Sequence, residues 1–505
     1  MFSNLTTSIR NNAIVLFFSS DALYLPSIFK DLFIDGNDMS GWHFNPAPNF
    51  FPDMIFYFLL MFLVKNFIYA SFLFALIQYI FLAFLFVRLF KLVSQSNSSY
   101  YTLVIYSLLS FFILEFFFFS QDFWYVFYLI VNSYHTGAFI ITLLCLVLSF
   151  KYIRDHKIIW PILITVIGFL MIQSDRLFIL LYCVPICLTS LCLYKKIGLK
   201  QTILLNGINI LMVGVGLVIF SKINTYAYVE SNKFLKPFDF DVIKSQFGIF
   251  FGDLFSSMTE FSIRTVTLYM FFISLGMMTY VFFMSLKNTK DTLAPFYALF
   301  SLIFSICVIC GPMASGKFLG WDCLRYNIYP FYLAVLNVAV FFWYTIKTQV
   351  FLVTGKYLIV GFSILLMSIG IAKFRYQGLI DYFNYYPEIV QNLDAVAEKE
   401  DLKYGVTNYW EAKVFTMFSK KGLKVYSVFD DLAIHQHVAN DNWYFGNIFN
   451  FVILSNFADT NLYRKKINEI KYVSNLPNFR MIKCSPFTYF RFVGGSVVNV
   501  ETNDK

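Results

Sequence analysis

Apolar residues run long and nearly unbroken through most of the chain, then give way near residue 373 to short runs interrupted by charge. A helix that crosses roughly 30 Å of hydrocarbon needs about 20 predominantly apolar residues. Runs near that length lie at 67–87, 103–119, 134–150, 158–172, 177–194, 203–220, 266–286, 293–310, 328–345 and 357–372, predicting ten spans, several of them short. Residues 1–20 predict a poorly anchored eleventh, because 13–18 is the sole continuous apolar run there and Arg10, Asn11 and Asn12 interrupt the rest. No small-residue cleavage site precedes Asp21, so this stretch does not read as a signal peptide.

Beyond residue 373 the pattern reads strand, helix, strand over 404–408, 409–419 and 423–429, with a further strand at 449–455 and loose alternation at 487–493. The expected fold class is therefore an all-α polytopic membrane bundle of about ten or eleven helices with a small C-terminal α/β domain. The division falls at 1–372 and 373–505, with outer loops at 21–66, 221–264 and 311–327.

Charge orients the bundle. Alternate short connections hold Arg88 and Lys91; Lys151, Arg154 and Lys157; Lys195, Lys196 and Lys200; Lys287 and Lys290; and Lys347 and Lys356, against the acids Asp155 and Asp291. Short basic loops stay in the cytoplasm, so the other connections and the C-terminal domain are expected outside. Composition agrees with a membrane protein: 58% of the 505 residues are apolar and 14% charged, where soluble domains are about half apolar and a quarter charged. Gly (23), Pro (13) and Cys (8) are too scarce for a collagen-like, disordered or disulfide-framed chain. The net charge of +9 is located in the inner loops, so it gives no reason to invoke nucleic acid.

Ionisable groups near a bilayer are costly and tend to be functional. Here they gather at the outer boundary: Asp21, Asp31, Asp35, Asp38 and Asp53 in the first outer segment, Glu115 and Asp122 at the third span, Asp175 and Arg176 at the next outer turn, and Lys317, Asp322 and Arg325 before the span at 328. A carboxylate there can take a proton from an acceptor hydroxyl while cations hold a departing phosphate. Outer loops must be polar in any case, which accounts equally well for any single residue. Glu115, flanked by phenylalanines at 111, 112 and 116–119, is expected to face inward.

Other patterns carry less. Gly311–Lys317 has P-loop spacing, but Phe318 replaces the required Ser or Thr and a span precedes it where a strand should. Cys323 and Cys484 are the two cysteines expected outside, with nothing in the sequence to pair them. His435 and His437 suit one face of a strand better than a zinc site that has no third ligand. His135, at an outer helix end, is as well explained by capping as by substrate. The pairs Tyr409-Trp410 and Trp443-Tyr444 suit either sugar stacking or core packing.

The segment from Ser20-Asp21-Ala22 through Trp42 to Pro52-Asp53-Met54 resembles the first extracytoplasmic loop of the GT-C superfamily of polyprenyl-phosphate-sugar glycosyltransferases. Gln173-Ser174-Asp175-Arg176, Leu324-Arg325-Tyr326 with Pro330, and the outer C-terminal domain extend the likeness, and the layout is similar to bacterial O-antigen glucosyltransferases of serotype conversion. The resemblance implies that Asp21, or else Asp53, acts as catalytic base; Glu115, by its apolar surroundings, is a further catalytic candidate. It also implies that Arg325, with Arg176 and Lys317, binds the donor phosphate. Asp175, His135, Trp42 and Tyr326 are the candidate substrate contacts. The implied reaction is inverting transfer of a sugar, glucose foremost, from a polyprenyl-phosphate donor to a polysaccharide or lipid-linked glycan on the periplasmic face of a bacterial inner membrane. No cofactor is required; the acidic loop could hold a divalent cation. The alternative is a transporter or flippase of lipid-linked sugars, which would place its charges near the bilayer midplane.

Overall fold

The computed structural model describes residues 14–95, 102, 105–106, 109, 124–226, 228–229, 239–259, 263–288, 291–317, 321–346, 361, 365, 368, 376–455, 469–476, 479–491 and 498–502. It is mostly helical, with a small sheet region toward the C-terminus. Nearly all of the expected spans at 103–119 and 357–372 and residues 1–13 of the stretch at 1–20 lie outside the described residues, as does Glu115.

Five described helices are long and apolar enough to cross a membrane: Phe67–Ser94, Thr136–Asp155, Leu199–Ile223, Leu268–Leu286 and Leu293–Ala314. The chain is a multi-pass membrane protein. Thr136–Asp155 is central, with 89% of its apolar window buried, whereas Leu199–Ile223 buries 28% and turns Ile203, Ile210, Leu211 and Val218 outward. In water that face would be a large liability; against lipid it is the expected surface. Shorter apolar helices occupy Ile159–Ser174, Ile179–Cys192 and Tyr329–Thr345. The expected span at 177–194 is helical over Ile179–Cys192, a π-helical stretch at Ile179–Cys183 running directly into Val184–Cys192, which contains Pro185.

The first outer segment is more ordered than a loop. Tyr24–Phe33 is helical, and Phe50–Val64 forms a second helix that falls short of a span. Lys65, in the left-handed region at φ 56°, reverses the chain, and Asn66 caps the next helix by accepting from the N–H groups of Ile68 and Tyr69. Tyr57 then donates to Phe67 O at 3.3 Å, fixing the hairpin.

The strands are β1 (Trp42–Phe44), β2 (Tyr228–Val229), β3 (Tyr404–Thr407), β4 (Lys424–Ser427), β5 (Ala439–Asn440), β6 (Phe449–Ser455), β7 (Glu469–Leu476), β8 (Phe479–Arg491) and β9 (Val498–Thr502). A six-stranded sheet has the order β4-β3-β6-β8-β7, with β9 also on β8; β3 is parallel to both neighbours and the remaining pairs are antiparallel. The β3 to β4 crossover is the helix Tyr409–Phe418, whose N-cap Asn408 accepts from Trp410 N. A second sheet, β2-β1-β5, joins the first outer segment to the C-terminal region, pairing Trp42 with Asn440. Beside it Asp31, 2% exposed, accepts hydrogen bonds from Trp42, Asn37, Asn440 and Trp443, so its buried charge is fully satisfied.

Candidate functional site

Four helix ends and the head of the C-terminal crossover helix meet around a cavity of about 500 Å³. Asp21 lies in the turn before Tyr24–Phe33. His135 precedes Thr136–Asp155, Asp175 and Arg176 follow Ile159–Ser174, and Lys317 follows Leu293–Ala314 after a Gly316 turn at φ 77°. Arg325 and Tyr326 close the 3-10 turn Trp321–Tyr326. All seven line the cavity, with Tyr24, Tyr409 and His437. The P-loop-like stretch is thus the last helical turn of a span, and only its lysine carries a charge into the site.

Asp21 is held on both oxygens. Tyr409 donates its hydroxyl to Oδ1 at 2.6 Å, and Arg325 Nη1 stands 3.6 Å from Oδ2. Ser20 donates to the Tyr409 carbonyl, fastening the same two segments together. Across the cavity His135 Nδ1 meets Asp175 Oδ2 at 2.6 Å, and Asp175 also accepts from Leu177 N at 3.0 Å. Burial works against the charged form of Asp175, yet His135, the Leu177 N–H and nearby Lys317 outweigh it and hold the carboxyl below its usual range. His135 itself sits at φ 63°, a conformation uncommon outside glycine and concentrated at functional sites.

Three cations face this space. Burial, and then the like charges of Arg176 and Arg325, push the Lys317 ammonium below its ordinary value, with Asp175 opposing. Arg176 stacks on Phe220 at 4.2 Å and donates to Pro46 O at 2.9 Å. Arg325 lies over Tyr326 at 5.2 Å, and its buried Nε has no hydrogen-bond partner among the described residues. Mutually repelling cations with an unmet buried donor form a site suited to an anion.

Asp53 stands behind this wall. It is 3% exposed, and burial, then the Asp175 charge, push it up to about 7 against a backbone hydrogen bond at Ser133. Its carboxylate packs on Gly137, where a Cβ would lie 2.3 Å from Oδ1. It borders a second, apolar groove with Phe56, Phe74 and Gly137, not the polar cavity, so it is placed less directly than Asp21 for proton transfer. Trp42, expected at substrate, is 0% exposed and donates to Asp31 Oδ2 at 2.7 Å; it is a core residue of the junction between the first outer segment and the C-terminal region. Trp443 and Tyr444 are likewise buried there. No three His, Cys, Asp or Glu side chains converge as a metal site among the described residues. Cys323 and Cys484 are free thiols.

Tyr409, which the sequence offers for sugar stacking or core packing, and His437, weighed there as half of a histidine pair, both line the cavity, and Lys413, which nothing in the sequence marks, packs on Tyr409. Lys413, 5% exposed, rests its ammonium over the Tyr409 ring at 4.3 Å. Burial pushes it down to about 7, with Asp21 opposing.

No family model matches the chain, and no curated protein does. Among solved structures the chain is similar to a crystal structure of the Archaeoglobus fulgidus oligosaccharyltransferase in complex with Zn and sulfate, at 12% identity and a TM-score of 0.43, over 93% of this chain and 68% of that one. A superposition that loose does not set the fold or the chemistry of this chain.

Proposed function

We propose that the protein is a GT-C-type glycosyltransferase that moves a sugar from a polyprenyl-phosphate donor to a cell-surface glycan such as an O-antigen, with inversion, at the periplasmic face of a bacterial inner membrane. The observation that carries this reading is the pairing of one accessible, doubly held carboxylate, Asp21, with Arg325, Lys317 and Arg176 around one cavity at the outer helix ends. Asp21 takes the acceptor hydroxyl proton as its oxygen attacks the anomeric carbon. The bond from that carbon to the phosphate oxygen breaks, and the phosphate leaves with the electron pair into the field of the three cations. Arg325, next to both the base and the incoming phosphate, shifts toward the donor and leaves Asp21 freer to accept the proton. Asp175 fixes His135 for contact with substrate, and Tyr326 walls the sugar.

The test uses membranes carrying the full chain, a radiolabelled polyprenyl-phosphate sugar and cell-envelope glycan. Wild type incorporates label, and Asp21→Asn lowers incorporation by at least about a hundredfold, the scale of a lost general base, with unchanged expression. Substantial activity in that variant removes Asp21 as base. Protein-dependent movement of intact lipid across vesicles, without incorporation, would favour the transporter.

A further inference from the structure

The C-terminal region buries its apolar residues well, and the exceptions are informative. Of its large hydrophobic side chains among the described residues, those exposed are Trp410 at 58%, Phe429 at 52% and Ile448 at 57%. Two of these are aromatic, and both join one array of rings. Trp410 packs edge-on against Tyr409 with centroids 5.2 Å apart; Tyr409 contacts His437 at 5.1 Å and His435 at 5.4 Å; and His435 meets Phe429 at 4.4 Å. Tyr409 and His437 also line the cavity that holds Asp21, so the array starts at the wall of the site and continues onto the outer surface.

Its chemistry separates it from the other exposed apolar surfaces. The helix Phe50–Val64 presents Ile55, Phe56, Leu59, Phe62 and Leu63, an aliphatic and phenylalanine ridge without charge that suits hydrocarbon. The ring array instead has exposed Asp430 next to Phe429 and exposed Gln436 between the two histidines. Carboxylates would repel anionic headgroups, whereas flat rings with carboxylate and amide neighbours match a pyranose, which has an apolar C–H face and a rim of hydroxyls. Large aromatic faces edged by a few oriented polar groups are the usual lining of such binding sites.

We propose that Trp410, Phe429, His435 and His437 form the acceptor subsite, which takes a neutral hexose-rich oligosaccharide by stacking on the exposed rings and feeds its terminal hydroxyl past Tyr409 toward Asp21. This deepens the glycosyltransferase reading and rests on it for the direction of feed, while the binding itself is tested without any reaction.

The experiment is saturation-transfer NMR on the full-length protein in lipid nanodiscs free of sugar detergent, with a mixture of α- and β-linked gluco-oligosaccharides as probe. Wild type transfers saturation to the sugar C–H protons, and the Trp410→Ala/Phe429→Ala double variant loses about fivefold or more of it, as expected for two lost stacking contacts. Trp410→Phe/Phe429→Tyr keeps most of the signal, which separates stacking from folding damage. In the transfer assay the double variant raises acceptor KM by a similar factor and leaves donor KM alone. Absent saturation transfer in wild type, or equal transfer in the double variant, overturns the subsite. Oligosaccharide binding that the double variant loses, in a protein that transfers no sugar from any donor, upholds the subsite and overturns the glycosyltransferase reading.

Discussion

Lys413 shows how a single side chain can report on the site. It is buried with its ammonium over the Tyr409 ring, where it feels the charge of Asp21. Its ordinary value is 10.5 and burial lowers it to about 7, so between those two values the unfolded chain binds the extra proton and the folded one does not. Stability therefore rises with pH across that window on account of this residue, and below pH 7 its burial penalty is present in full. Lys413→Met removes the penalty: the thermal midpoint should rise by a few degrees at about pH 7, and the gap to wild type should shrink by about pH 10, both read by thermal unfolding in detergent. A variant less stable than wild type at neutral pH would mean that the attraction of Asp21 for the ammonium outweighs burial. The contrast with the other site residues explains what the sequence made legible. Asp21, Asp175, Arg176, Lys317 and Arg325 stand out as charges at the ends of apolar runs, where any charge is conspicuous. Tyr409, His437 and Lys413 lie in a region of ordinary soluble composition, where an aromatic or histidine pair reads equally well as packing or surface, and a single lysine carries no signal.

At the scale of elements the hydrophobic period identifies the long helices, because a run of about 20 apolar residues in a chain this poor in charge is best shielded from water by crossing a membrane. The same period does not mark Tyr24–Phe33 and Phe50–Val64, which are too short to register as spans and sit in a segment studded with Pro and Asp. The strand, helix and strand expected at 404–408, 409–419 and 423–429 form at Tyr404–Thr407, Tyr409–Phe418 and Lys424–Ser427. The pairing of β1 with β5 is not, since two- and three-residue strands carry no periodicity and their partners lie at opposite ends of the chain. Helix ends, more than helix bodies, build the site, and Gly137 is one of the tightest of these junctions. An added methyl would meet the Asp53 carboxylate, itself held by the Ser133 backbone and repelled by the Asp175 charge. Gly137→Ala should lower sugar transfer by roughly tenfold or more, the scale of a displacement of about 1 Å near the chemistry, with the helix content from circular dichroism unchanged. Wild-type transfer rates in that variant would show that the Asp53 side of the wall moves freely.

For the whole molecule the decisive arrangement is that every cavity-lining charge described lies at one level of the bundle, the level to which the C-terminal region is joined through β1 and β5. Among the described residues, the basic positions Arg88, Lys91, Lys151, Arg154, Lys195, Lys196 and Lys287 occupy the other helix ends. A reporter active only in the cytoplasm and fused after Lys505 should therefore be silent, while one active only outside should signal; the reverse result would invert the orientation and with it the compartment of the reaction. The joint has a further consequence for how the protein comes into being. Asp31 and Asn440 are 409 positions apart, so at about 5–20 residues per second a ribosome makes the second some 20–80 s after the first, roughly. Throughout that interval the buried carboxylate of Asp31 and the edge of β1 await partners not yet synthesised, and Asp21 lacks Tyr409. A nascent chain thus leaves this joint, and the Tyr409 side of the cavity, open until its last quarter has been made.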